Sequence, residues 1–223
     1  QRKTFDGTEG KMVQLPEQKE TISGLKKGTF SFAYRLNEAA VGKTIYGLLS
    51  LSNSNADREY GALYIKPKDN RIGYEVQGKG DKYITVRNGN SVNNAEWHTV
   101  TYAFDGTQAE FYLDGVSIGK FATTHLLKGD WTPDMVTLGG ISRTNTTPGS
   151  KWPFYGIIDS VNVFDETLNA EQVMELHKRT YRKMNRNTGK MYIRQVSMVF
   201  MIWVIMILII TVFQQWLQRV KEL

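Results

Sequence analysis

The residue types that perform catalysis occur in this chain, but not in working combinations. Its three histidines, His98, His125 and His177, are widely separated, and none belongs to a paired metal-binding spacing such as His-Glu-x-x-His. His98 follows Trp97 inside a strand-like stretch and reads as a structural residue. The absence of cysteine excludes a disulfide framework, a thiolate metal centre and a Cys nucleophile. No Gly-x-Ser-x-Gly elbow and no glycine-rich phosphate loop ahead of a helix is present. The carboxylate pairs Asp57/Glu59 and Asp165/Glu166 fall in polar turns, where a solvated surface role outweighs an acid/base role. These readings predict a protein that is not an enzyme and that uses neither metal nor cofactor.

What remains is a residue set suited to holding a sugar. Tyr60, Tyr64, Tyr74 and Glu75 lie on consecutive strand-like segments, and the loop Arg143–Tyr155 holds Arg143, Asn145, Lys151, Trp152, Phe154 and Tyr155. Aromatic rings offer apolar faces to the C–H side of a sugar, and an arginine fork can make two parallel hydrogen bonds to a carboxylate. The alternative is that Trp152 and Phe154 fold back to cap the edge of the fold. Asn145-Thr-Thr147 also matches the N-glycosylation sequon.

The elements that must position these residues are strands. Thr29–Leu36 alternates Phe30, Phe32, Tyr34 and Leu36 on one face, and Tyr46–Leu51, Gly61–Lys66 and Arg71–Val76 follow between clusters of turn residues. Trp97–Phe104 is the next long strand. Phe111–Leu113 and Val116–Phe121 flank Asp114-Gly115, a tight-turn pair that specifies a hairpin. Met135–Leu138 and Gly156–Phe164 bring the count to at least eight. Asn169-Ala-Glu-Gln172 then resembles a capping box opening a short helix, with Val173 and Leu176 on its inner side. Many short strands with one late helix predict an all-β, antiparallel β-sandwich or jelly roll.

Of the 223 residues, the last 50 differ in character. The net charge of +6 is not spread over the chain: residues 1–173 hold 19 Lys+Arg against 20 Asp+Glu, and residues 174–223 hold 9 against 2. A nearly neutral main domain argues against a nucleic-acid partner. Lys178, Arg179, Arg182, Lys183, Arg186, Lys190 and Arg194 precede Val196–Phe213, an uncharged run of 18 residues without Gly or Pro. As a helix this run would extend roughly 27 Å, close to a bilayer core of about 30 Å. It predicts a C-terminal transmembrane helix flanked by Tyr192 and Trp216, with the basic stretch contacting anionic lipid. The positive-inside rule places the preceding domain in the cytoplasm, unless a removed signal peptide has exported it to an extracellular position. The expected organisation is an N-terminal extension over 1–24, a sandwich over 25–177, a basic linker over 178–195, a span over 196–216 and a short tail over 217–223.

The order Leu48-Leu-Ser-Leu-Ser-Asn-Ser54, Tyr64, Ile72-Gly-Tyr-Glu-Val-Gln77, Trp97-His-Thr-Val100, Phe111-Tyr-Leu-Asp-Gly115, Val136-Thr-Leu-Gly-Gly140, Arg143 and Gly156-Ile-Ile-Asp-Ser-Val-Asn-Val-Phe164 carries a resemblance. Over about residues 25–177 it resembles the laminin-G-like, concanavalin-like lectin domain at the N-terminus of bacterial sialidases, carbohydrate-binding module family 40. The resemblance implies a terminal sialic acid held by a strand aromatic, a Glu-x-Arg pair, a loop Arg and a nearby Tyr. Tyr64, Glu75 and Arg143 match the first three positions, and Trp152 stands where the Tyr would be. Gln77 occupies the place of the second Arg, which removes one cation from the clamp. The Arg-Ile-Pro motif and the Ser-x-Asp-x-Gly-x-Thr-Trp boxes of the catalytic propeller are absent.

The leading expectation is therefore a membrane-anchored, non-catalytic module for a terminal sialic acid or similar acidic sugar, with Tyr64, Glu75, Gln77, Arg143 and Trp152 as ligand residues. Two alternatives stay open. One is a structural or interaction subunit that packs among membrane proteins, and the other is a sialidase fragment without its propeller.

Overall fold

The computed structural model describes residues 2–187 apart from 79, 81, 89–91 and 124, with the backbone alone for 82–88, 186 and 187. In chain order the strands are β1 (Lys3–Asp6), β2 (Val13–Gln14), β3 (Gly28–Leu36), β4 (Tyr46–Ser52), β5 (Tyr60–Lys66), β6 (Arg71–Gln77), β7 (Lys82–Asn88), β8 (Trp97–Phe104), β9 (Gln108–Leu113), β10 (Val116–Ala122), β11 (Met135–Leu138) and β12 (Tyr155–Phe164). A short helix α1 (Lys19–Ser23) precedes β3, and α2 (Ala170–Asn187) follows β12. Two six-stranded sheets result, ordered β1-β12-β3-β8-β9-β10 and β2-β11-β4-β5-β6-β7. All the pairings are antiparallel. Gln1–Arg182 forms one compact unit, and the chain from Lys183 onward belongs to a second.

Alternation decides which residues meet between the sheets. Phe30, Phe32, Tyr34 and Leu36 of β3 point inward with Val100, Tyr102 and Phe104 of β8, and they meet Leu63, Ile65, Ile72, Tyr74 and Val76 of the second sheet. The two layers interlock at a stacked pair, Tyr74 on Tyr102, with centroids 4.7 Å apart and planes 10° from parallel. The Asp114-Gly115 turn forms the expected hairpin, with φ of 51° and 83° at its two residues. The capping box also forms: Asn169 Oδ1 accepts from Gln172 N at 3.0 Å, and Gln172 Oε1 accepts from Asn169 N at 2.9 Å. It starts α2, whose Val173 packs on Ala103 and Tyr112 over the outer face of the first sheet.

Three strands go beyond the sequence reading. Residues 1–24, set apart there as an extension, supply β1 beside β12 and β2 beside β11, and Phe5 lies in the core against the edge of Phe154. The third addition, β7, is the outer strand next to β6. No helix among the described residues is long and apolar enough to cross a membrane. The expected span, 196–216, the short tail after it and the end of the basic stretch lie outside the described residues.

Candidate functional site

The outer face of the second sheet brings most of the expected site together. On β5 the alternation that sends Leu63 and Ile65 inward sends Tyr60, Ala62 and Tyr64 outward. The register pairs Tyr60 with Gln77, Ala62 with Glu75 and Tyr64 with Gly73 across β6, so Glu75 and Gln77 share that face. A Cβ at residue 73 would come within 2.3 Å of the Tyr64 ring. Glycine there is what allows the ring to lie down over β6.

The loop from Gly139 to Phe154 folds over this face. Ile141 N donates to the Lys151 carbonyl at 2.8 Å, and Gly47 N donates to the Trp152 carbonyl at 2.8 Å, which closes the loop and ties it to β4. Trp152 takes a left-handed backbone conformation, φ 51°. Its indole then meets the rings of Tyr60 and Tyr64 edge-on, at 5.7 and 5.2 Å. Trp152 is 9% exposed and Phe154 is fully buried against Phe5, Tyr34 and Tyr46. Of the two readings open for this loop the structure takes the second, with both side chains folded back: Phe154 belongs to the core, and Trp152 braces the two tyrosines. Tyr74 is also removed from the site, since it points inward and donates to the Leu127 carbonyl at 2.9 Å.

A chain of polar contacts runs through the cluster. Tyr60 Oη donates to Glu75 Oε1 at 2.6 Å, and the Arg143 guanidinium lies over the other part of Tyr60, its Cζ 5.0 Å from the ring centroid. Burial pushes the Tyr60 phenol well above its ordinary range, and the charge and hydrogen bond of Glu75 add to this. Burial and the Glu75 charge push Tyr64 up as well. Both phenols therefore remain donors at any physiological pH.

Arg143 is held by a loop that the sequence reading treated as solvated. Its Nη1 donates to the Asp57 carbonyl at 3.3 Å, its Nη2 donates to the Ser150 carbonyl, and the Asp57 carboxylate lies 3.8 Å from Nη1. Thr144 N donates to the Ala56 carbonyl at 3.1 Å, which draws the two loops together. Asn53 and Ser54 shape the Asp57 loop: Asn53 Nδ2 donates to Glu59 Oε2 at 2.7 Å, and Ser54 donates through its backbone and hydroxyl to Asp134. The Asp57/Glu59 pair is accordingly corrected from solvated turn to support for the arginine. Arg143 Nε and Asp57 Oδ1 are buried, and neither has a hydrogen-bond partner among the described residues. Main-chain carbonyls have no side-chain signature, which is why sequence reading missed the contribution of Ser150. Lys151 turns away to Glu9, 2.8 Å from its Oε2.

Among the described residues no group of three His, Cys, Asp or Glu side chains could hold a metal ion. His98 is placed structurally, joined to Asp114 at 2.8 Å and to Asn94 at 3.1 Å.

A family model, the concanavalin A-like lectin/glucanases superfamily, matches residues 6–174. The chain belongs to this superfamily. Among solved structures, the superfamily member resembles the IT-sialidase CBM40 of Ruminococcus gnavus, at 23% identity and a TM-score of 0.65, with 79% of this chain and 98% of that one covered. The same module bound to α2,3-sialyllactose matches at 22% identity and a TM-score of 0.64, covering 79% and 97%. The leech intramolecular trans-sialidase complexed with 2,7-anhydro-Neu5Ac matches at 24% and 0.62, with 78% of this chain but only 27% of that enzyme covered. These likenesses establish the sandwich as the fold of lectin-type modules of sialidases. No curated protein sequence matches the chain.

Proposed function

We propose that the chain is a non-catalytic glycan-binding module that takes a terminal acidic sugar, of the sialic acid kind, on the outer face of the second sheet. The observation that carries this reading is the Arg143–Tyr60–Glu75 arrangement: a cation, an aromatic ring and a carboxylate in direct succession beneath one loop. The module of Ruminococcus gnavus, solved with sialyllactose, shares the fold and supports the reading. Arg143 supplies the charge for the sugar carboxylate through the donors that Asp57 and Ser150 leave free. Tyr64 and Trp152 supply apolar surface, and Glu75 accepts from a hydroxyl or amide. Gln77 offers hydrogen bonds without charge on the same face, which loses a charge-assisted contact worth about 1–3 kcal/mol. Affinity is then set near the millimolar range, about 4 kcal/mol of binding free energy. We further propose that residues 196–213 anchor the module in a bilayer, which resistance to carbonate extraction would test.

Titration of the detergent-solubilised full-length chain with sialyllactose, followed by NMR, tests the binding. Arg143→Ala should abolish the shifts and Gln77→Arg should strengthen binding. Absence of shifts in both the native chain and Gln77→Arg would reject the reading.

One observation favours a second reading. Tyr64 is 2% exposed, Glu75 5% and the Arg143 side chain 9%, so the cluster also serves to fasten the loop onto the sheet. A sandwich with this face closed fits a structural or interaction subunit, and that is the reading left standing if sialyllactose does not bind.

A further inference from the structure

The outer face of the first sheet carries a separate cationic cluster, on the opposite side of the sandwich. Alternation sends Tyr34, Leu36 and Phe5 inward and therefore sends Arg35 of β3 and Arg2, just ahead of β1, outward. Trp97 of β8 pairs directly with Arg35 and shares this face. Both guanidinium groups settle on the one indole: Arg2 Cζ lies 5.1 Å and Arg35 Cζ 5.4 Å from the Trp97 ring. Arg2 reaches Asp159 Oδ2 through Nε at 3.4 Å, leaving its two terminal nitrogens without a partner among the described residues. The Arg35 side chain has no hydrogen bond or ion pair among the described residues; its guanidinium rests on the ring. The third donor of the cluster, Trp97 Nε1–H, is buried without an acceptor among the described residues.

Stacking on a ring occupies the face of a guanidinium and leaves its in-plane N–H groups available. Two such forks sharing one ring concentrate positive charge, and among the described residues Asp159 is the carboxylate that pairs with one of them, Arg2. Buried or half-buried donors in this state call for acceptor oxygens. A carboxylate has two oxygens and satisfies one fork. A tetrahedral oxyanion offers four oxygens, three when esterified, each able to accept more than one hydrogen bond, so that both forks and the indole N–H can share them.

We propose that Arg2, Arg35 and Trp97 form a second anion site that binds a phosphate or sulfate group, carried free or as an ester on a saccharide. This site is on the other sheet from the proposed acidic-sugar site and stands independently of it. The test uses the full-length chain in detergent micelles, with the indole N–H resonance of Trp97, assigned through Trp97→Phe, followed by NMR at constant ionic strength. Inorganic phosphate, inorganic sulfate, acetate and N-acetylglucosamine 6-sulfate are the probes. Phosphate and sulfate should give saturating shifts with acetate at least about tenfold weaker. Arg35→Gln should weaken sulfate binding by about tenfold or more, with Arg35→Lys between the two because it keeps the charge and loses the fork. Tighter binding of the sulfated sugar than of inorganic sulfate would identify an ester as the natural group, and equal binding would identify the free anion. The proposal is overturned if the resonance does not shift, if acetate matches sulfate, or if Arg35→Gln binds as the native chain does. Arg143→Ala should leave this site unchanged.

Discussion

Gly73→Ala tests whether the Tyr64 ring really lies across β6. The new Cβ would be 2.3 Å from Tyr64 Cζ and Oη and 2.9 Å from Cε1. Carbon atoms rest at about 3.5–4.0 Å, so the ring must move by more than about 1 Å. It cannot lift freely, because the Trp152 indole packs on it at 5.2 Å and 65°. Overpacking of this kind costs about 1–3 kcal/mol. The reduced freedom of the unfolded chain returns about 0.4–1 kcal/mol. The expected net loss is about 1–2 kcal/mol, seen as a fall of roughly 0.5–1 M in the urea midpoint at unchanged slope. In a Tyr64→Ala background the obstruction is gone, and Gly73→Ala should be neutral or stabilising. The double-mutant cycle should thus return a coupling of about 1–2 kcal/mol. Equal penalties in both backgrounds, or no penalty in the first, would refute the packing described for this face.

Four further outcomes are expected. Phe5→Ala should cost about 3–5 kcal/mol in urea unfolding, because the N-terminal strand carries a core residue. Asn169→Ala should lower the thermal midpoint through a loss of about 1 kcal/mol, the worth of a side-chain helix cap. Burial raises the phenols of Tyr34, Tyr60, Tyr64, Tyr74 and Tyr102 above the ordinary value of 10.0. The unfolded chain then loses protons that the folded one keeps, so stability is intact below pH 10 and falls above it by about 1.4 kcal/mol per pH unit for each group. Tyrosinate absorbance from these five should therefore appear only together with loss of the β-sheet circular dichroism signal. His177, which exchanges a hydrogen bond with Thr99 at 2.8 Å, is lowered from 6.5 chiefly by burial. Below that pH the unfolded chain takes up a proton that the folded one resists, so stability should decline, and His177→Gln should flatten the decline in urea titrations across that range.

The fold was readable where strands are long and buried on one side. Phe30, Phe32, Tyr34 and Leu36 declare β3 by their period alone, and Asp114-Gly115 declares its hairpin by the positive φ it permits. β1 and β2 are short and mostly exposed, with Phe5 as the lone buried apolar residue of β1, so periodicity had nothing to repeat. β7 borders the sheet and mixes Ile84 and Val86 with Lys82, Arg87 and Asn88, which blurs its pattern. For the candidate site, side-chain type singled out Tyr60, Tyr64, Glu75 and Arg143, which the fold brings together on one face. Strand parity alone separates Tyr74 from Glu75, since neighbours in a strand face opposite ways. The turn that rolls Trp152 onto the tyrosines depends on a left-handed backbone at a bulky residue, and no composition rule announces that. Asp57 looked like a turn residue because its contribution is made partly through its carbonyl oxygen.

The pairing of Lys3 with Ile158 and of Gln14 with Thr137 places the start of the chain beside strands made much later. At a synthesis rate of about 5–20 residues per second, the partner of β1 leaves the ribosome roughly 10–30 s after β1 itself. During that interval β3, with Phe30, Phe32 and Tyr34 along it, is an open sheet edge, and such edges pair readily with other chains. β12 fills the gap between β1 and β3 in a single event. A nascent chain that stalls before Tyr155 therefore leaves this edge of β3 unpaired, and completion of β12 is the event that closes it to other chains.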